Sequence, residues 1–286
     1  MSRPNTPGAS RSGYRQKVLG QHFLVSRSVT ERIISALGPL EHKHVLEIGA
    51  GRGVLTEHLA AAAGRLTALE IDRKLADYLQ RTFGAKPEVA VLREDVLNFD
   101  IGGWARSCAS LRPLVVGNIP YSITHALLHA LIDAHRELEA AVLMLQEEVA
   151  RKATAAAGGK PFGMLSALLS YYSSAEYLFG VGRENFIPVP GVDSAVVRLD
   201  FSRPCSPAAR DEKAFRFLVR RLFEERRKQV QKVLRNNGRF ALSAEDIELL
   251  ARATGLDLTR RPEEFPVAEL IALADAVSGM SKAAQG

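Results

Sequence analysis

A short apolar run, His44-Val-Leu-Glu-Ile48, ends in Gly49-Ala-Gly51-Arg-Gly53 and passes at Val54 into a helical pattern. Strand, glycine-rich turn and helix in that order open a βαβ unit, and parallel strands need a crossover between them. The alternation that this demands runs on. Apolar strand patterns follow at 65–70, 89–93, 113–116 and 140–145, with amphipathic helical patterns at 73–83, 122–134 and 146–156. This predicts an α/β fold, a mostly parallel, doubly wound sheet covered by helices on both faces. A helical pattern at 165–172 follows the Gly158-Gly159-Lys160-Pro161 break. Strand patterns at 177–181 and 195–201 flank a proline-rich loop with no helix between them, which predicts an antiparallel edge hairpin. A lead-in helix is expected at 26–37, stopped by Gly38-Pro39.

Beyond Ser202-Arg-Pro-Cys-Ser-Pro207 only helical patterns occur, at 211–223, 228–236, 244–254 and 267–277. A length of 286 residues suits two domains. The expected organisation is a flexible basic arm over 1–17, an α/β domain over 18–203 and a small all-helical domain over 204–286. The net charge of +6 is unevenly placed: positions 207–240 hold eleven basic against four acidic residues, and the arm has four basic residues and no acid. Concentrated positive charge is the footprint of a polyanion partner. Stretch 114–132 is uncharged but contains Gly117, Asn118, Pro120, His125 and His129, which make a poor membrane span. The arm lacks the apolar segment of a secretory signal, and Cys108 and Cys205 match no metal or redox spacing. A reducing, cytoplasmic setting with no membrane and no metal is expected.

The dinucleotide fingerprint would place glycine at position 54, where this chain has Val54, and Glu47 stands where a dehydrogenase strand is normally apolar. Gly49 and Gly51 instead form a turn that lets the backbone approach a ligand. Glu70 ends the second strand, 21 positions after Gly49, where a carboxylate can accept from both ribose hydroxyls of an adenosine-containing cofactor. Asp95 follows the third strand, placed for the cofactor's adenine amino group. Asn118-Ile-Pro-Tyr121 follows the fourth. An exocyclic aromatic amine is a weak nucleophile because its lone pair is delocalised. The Asn118 amide oxygen and a main-chain carbonyl of the Ile119-Pro120 step can accept its two N–H bonds, while Tyr121 stacks on the base. His125 and His129 lie four apart, but Ala126 stands where a zinc protease would have glutamate, so packing or capping is their expected role.

In five passages the chain resembles the bacterial small-subunit rRNA adenine dimethyltransferases. They are Leu19-Gly-Gln-His-Phe-Leu24, Val45-Leu-Glu-Ile-Gly-Ala-Gly51, Asn118-Ile-Pro-Tyr121, the run from Phe186-Ile-Pro-Val-Pro to Val197-Arg-Leu199, and Phe223-Glu-Glu-Arg-Arg-Lys228. The resemblance implies a Rossmann-like methyltransferase fold, S-adenosylmethionine as methyl donor, and N6 of two adjacent adenosines near the rRNA 3′ end as targets, within an assembling small subunit. It further implies that His22 and Leu24 line the donor's methionine end, Gly49 its turn, Glu70 its ribose and Asp95 its adenine. Asn118 would sit at the reaction centre, with Phe186 opposite Tyr121 as the second face of the adenine slot. Arg226, Arg227 and Lys228 are expected to meet RNA phosphates. The chain departs from relatives at His22, where some carry asparagine, at Gly191, and at Gln231-Lys232. Two alternatives are a ribosome-assembly factor in which methylation is secondary, and a large-subunit rRNA adenine methyltransferase. Nothing in the basic surface calls for a dimer, so a monomer is expected.

Overall fold

The computed structural model describes residues 21–108, 112–236 and 240–283. The basic arm over 1–17, Leu19, Gly20 and Arg239 lie outside the described residues. In chain order the first elements are β1 (Phe23–Leu24), α1 (Arg27–Leu37), β2 (His44–Ile48), α2 (Val54–Ala62), β3 (Arg65–Leu69), α3 (Arg73–Phe83) and β4 (Val89–Leu92). Then come α4 (Ile101–Ser107), β5 (Leu114–Asn118), a 3-10 turn Tyr121–Ile123, α5 (Thr124–Asp133), β6 (Ala140–Gln146), α6 (Glu147–Ala153) and α7 (Met164–Tyr172). The chain continues through β7 (Ser174–Val181), β8 (Phe186–Ile187), β9 (Ser194–Asp200), α8 (Glu212–Glu224), α9 (Val230–Asn236), α10 (Ala244–Thr254) and α11 (Val267–Ala283).

Seven strands form one sheet in the order β4-β3-β2-β5-β6-β9-β7. The β4-β3-β2-β5-β6 portion is parallel, with Val45 opposite Leu66 and Leu114, and Leu114 opposite Ala140. β9 and β7 supply the antiparallel edge. The central strands read as continuous apolar runs because both faces are covered: Val45, Leu46, Leu114, Val115, Val116 and Ala140 to Val142 are fully buried. Each buried valine or leucine side chain there contributes ~2 kcal/mol of transfer free energy. From β2 the chain winds outward through β3 to β4, then returns to the other side of β2 as β5. That reversal opens a crevice at the carboxyl ends of β2 and β5.

Local chemistry sets the helix starts around this crevice. Gly53, at φ 84, begins α2, and the Asp72 carboxylate accepts from the Lys74 and Leu75 main-chain N–H groups to begin α3. The sequence reading missed α4, whose Gly102 and Gly103 are poor helix formers. Its start is held by Asp100, which accepts from the Gly103 N–H at 2.8 Å. It also missed the two-residue pairing of β1 with β8, Phe23 against Ile187 and Leu24 against Phe186, which is too short to show a period.

The described residues divide into two compact units. One holds the chain up to Glu147 together with Leu178–Val196; the other holds Glu148–Tyr177 together with the chain from Val197 onward. This partition differs from the linear boundary placed at 203/204, because α7 packs with α8 and α11 inside the second unit. The proline-rich linker marks an irregular stretch, whereas compactness follows packing. Within the second unit Tyr171 stacks on Phe215 at 4.2 Å between ring centroids, and Phe162 packs against Phe223. Among the described residues no helix is long and apolar enough to cross a membrane.

Candidate active site

A cleft of about 790 Å³, partly open to solvent, lies at the carboxyl ends of the parallel strands. It gathers residues far apart in sequence: His22, Gly49, Gly51, Glu70, Asp95, Asn118, Ile119, Pro120, Tyr121 and Phe186 all line it. Gly49 and Gly51 adopt φ of 69 and 57, a left-handed backbone that side chains strain. The turn they form is tied to β3, with the N–H groups of Gly49 and Ala50 both donating to the Leu69 carbonyl.

Glu70 is 2% exposed. Its two carboxylate oxygens accept the main-chain N–H of Gly51 and of Asp72, each at 2.8 Å, which fixes the group while leaving each oxygen a further lone pair. Burial pushes its pKa up, and the main-chain N–H groups of Asp72, Gly51 and Ile71 work against that rise. Asp95 lines the same cleft, held where it accepts from the Leu97 N–H at 3.0 Å. Glu47, also 2% exposed, accepts from the Thr56 hydroxyl at 2.7 Å. Burial pushes its carboxyl up to about 7, partly offset by Thr56, and the nearby Glu70 carboxylate adds to the rise. It borders a smaller depression beside Gly49 and Asn118.

The Asn118 amide Nδ2 donates to the main-chain carbonyl of His22 at 2.8 Å. Only the nitrogen end can make that bond, so the amide oxygen is the end left for a ligand. Of the two carbonyls in the Ile119-Pro120 step, that of Pro120 accepts from the Ile123 N–H and the Thr124 hydroxyl. The Ile119 carbonyl is not drawn into that turn, which leaves it available beside Asn118. The Tyr121 hydroxyl bonds the Ser194 hydroxyl at 3.0 Å, and its ring lies 5.8 Å from the His22 imidazole at 31°.

Other expected residues are placed differently from one another. Phe186 lines the cleft yet is 1% exposed and joins the hydrophobic core. Leu24 does not line the main cleft; it is buried in the core and borders the smaller depression. His125 and His129 are both exposed on α5 rather than packed. No group of three or more metal-ligating side chains occurs among the described residues. In the helical unit Arg226 pairs with Glu263 at 3.3 Å and Lys228 pairs with Glu225, whereas exposed Arg227 has no ion pair among the described residues.

Sequence reasoning missed the Ser194 bond to Tyr121 and the occupation of the Pro120 carbonyl by its own turn. The 3-10 turn responsible for the second spans three residues, too few to carry a periodic signal. Glu47 did carry a signal, an acid inside an apolar strand.

Sheet order and cleft together define a Rossmann-like methyltransferase. The sequence model of the ribosomal RNA adenine dimethylase family matches residues 14–263, and the chain belongs to that family. It is similar to ribosomal RNA small subunit methyltransferase A of Pseudomonas aeruginosa, 40% identical over 261 residues that cover 91% of this chain and 93% of that protein. The protein of the same name from Geobacillus thermodenitrificans is 36% identical over 283 residues, covering 95% and 96%. Among solved structures, the 23S rRNA methyltransferase ErmE superposes with a TM-score of 0.68 at 26% identity, covering 90% of this chain and 99% of its own. A dimethyladenosine transferase from Plasmodium falciparum shares the fold with a TM-score of 0.70 at 21% identity, covering 88% and 96%.

Proposed function

We propose that this chain transfers methyl groups from S-adenosylmethionine to the exocyclic N6 of two adjacent adenosines near the 3′ end of small-subunit rRNA, dimethylating each during assembly of the subunit in the cytoplasm. The observation that carries the reaction is the Asn118 amide, turned oxygen-outward by its bond to the His22 carbonyl at the end of β5. The small-subunit target is supported by the curated relatives, which are 36% to 40% identical.

The cleft's donor set fits the methyl donor. Glu70 keeps lone pairs for a ribose diol, Asp95 can accept from an adenine amino group, and the glycine turn leaves no Cβ between backbone and ligand. The carboxyls of Glu70 and Glu47 also favour a cation nearby. The bound donor supplies an electrophilic methyl on a sulfonium. The chain does the rest by position. Asn118 Oδ1 and the Ile119 carbonyl accept the two N6–H bonds and hold the lone pair in line; Tyr121 and Phe186 form the slot's walls. As the N6–CH3 bond forms, the C–S bond breaks with its electron pair going to sulfur, and N6 then releases a proton to water. No general base is required. Arg226, Arg227 and Lys228 are assigned to the RNA backbone, with Arg227 foremost because it alone of the three is not ion-paired to a described acid.

The test is methyl transfer from labelled S-adenosylmethionine into unmethylated small subunits, followed by nucleoside analysis. Dimethyladenosine at two adjacent positions near the 3′ end is expected. Label in large-subunit rRNA instead would overturn the substrate.

A further inference from the structure

His22 stands at the meeting point of three parts of the cleft. Its main-chain carbonyl holds the Asn118 amide, its ring leans on Tyr121, and its imidazole Nδ1 lies 2.8 Å from the Pro188 carbonyl. A carbonyl only accepts, so Nδ1 carries the proton and donates; the imidazole makes this bond in its neutral and its charged form alike. Pro188 is two residues from Phe186, and β1 pairs with β8 alongside. One residue therefore ties Asn118 to Tyr121 and, through Pro188, to the segment that carries Phe186. The resemblance places His22 at the methyl donor, but its side chain bonds toward the base side of the cleft.

We propose that the His22 side chain is a positioning residue for the second methylation of each adenine, setting the spacing of the slot through Pro188. This rests on the adenine N6 reading above. In the first transfer N6 presents two N–H bonds to two acceptors, Asn118 Oδ1 and the Ile119 carbonyl. Once one hydrogen has been replaced by methyl, a single N–H remains, and one acceptor no longer holds the amine. Alignment of the lone pair then depends on the grip of the ring walls. In that second step the N6–CH3 bond again forms as the C–S bond breaks, sulfur takes the pair, and the last N6 proton leaves to water. Loosening the wall that carries Phe186 slows this step more than the first.

The experiment follows N6-methyladenosine and N6,N6-dimethyladenosine over time in unmethylated small subunits, using the unaltered protein and its His22→Ala, His22→Asn and His22→Gln variants. Affinity for S-adenosylhomocysteine is measured by calorimetry alongside. Asparagine places its Nδ2 where histidine has Nδ1, whereas glutamine places its amide one bond further out. The alanine and glutamine variants are expected to accumulate monomethyladenosine, with the second rate constant reduced relative to the first by about fivefold, the size of one hydrogen bond. The asparagine variant restores the original ratio. Because the ratio is internal to each sample, partial misfolding does not produce it. Equal slowing of both steps, or weaker S-adenosylhomocysteine binding with the ratio unchanged, would overturn the proposal. Absence of any dimethyladenosine with the unaltered protein would overturn the underlying reading itself.

Discussion

The α/β unit and the helical unit use charge in opposite ways. In the first, Glu47 and Glu70 are buried to 2% exposure and each is held by a few specific bonds at a strand end. In the second, the charged residues are mostly exposed and answer one another: Arg220 and Arg221 both meet Glu224, Arg226 meets Glu263, and Lys228 meets Glu225. A few fixed charges make a site whose removal is costly and specific. Many mutually screened charges make a surface whose members act weakly and nearly additively.

The sharpest way to break this contrast is Asn118→Ala. Loss of one acceptor and of the bond to His22 is expected to lower methyl transfer on the order of a thousandfold, with RNA affinity unchanged in a filter-binding assay. Retained transfer would remove the centre from the proposed mechanism. Next in size is Phe215→Ala, which tests whether the helical unit stands on its aromatic core rather than its surface charge. Phe215 is fully buried and stacked on Tyr171, so chemical denaturation should register a loss of ~3–5 kcal/mol.

Glu47→Gln probes the buried charge itself. The Glu47 carboxyl titrates near its ordinary 4.5 when unfolded and at about 7 when folded. Between those values the folded chain binds the proton more tightly, so the stability it contributes is full below the lower value and lost as pH rises through the upper one. The unaltered protein should therefore lose ~3 kcal/mol relative to the variant between pH 5 and pH 8, read from melting curves at each pH. Parallel pH profiles would refute the burial argument. The smallest effect belongs to the surface. Arg227→Ala is expected to weaken RNA binding a few-fold and to reduce the salt-dependence slope by about one, with Arg226→Ala doing less because Glu263 already balances it. Equal effects would show that the ion pair opens on RNA.

What the sequence disclosed follows the same division. The β2 run, its glycine turn and α2 were legible because strand, turn and helix each carry their own local signal, and their alternation implies a mostly parallel sheet. Asn118, Glu70 and Asp95 were legible as polar residues directly after apolar strands. The β1–β8 pair was not, since two residues have no period, nor was α4, whose glycines argue against the helix it forms. The assignment of α7 to the helical unit depends on contacts with α8 and α11, which no local pattern encodes. The run Arg226-Arg227-Lys228 was legible as charge, but not as two paired residues and one unpaired.

The bond from Asn118 Nδ2 to the His22 carbonyl has a consequence for which letter of the RNA is accepted. Under the proposed mechanism it leaves two acceptors, and no donor, for the base edge. Adenine meets them with an amine that donates twice. Guanine brings a carbonyl oxygen to the same place and would leave three buried acceptors facing one another, at a cost of several kcal/mol. Were the amide turned over, its nitrogen would welcome that oxygen. Under the proposed reading a single main-chain carbonyl, five residues before α1 begins at Arg27, decides which purine the cleft reads.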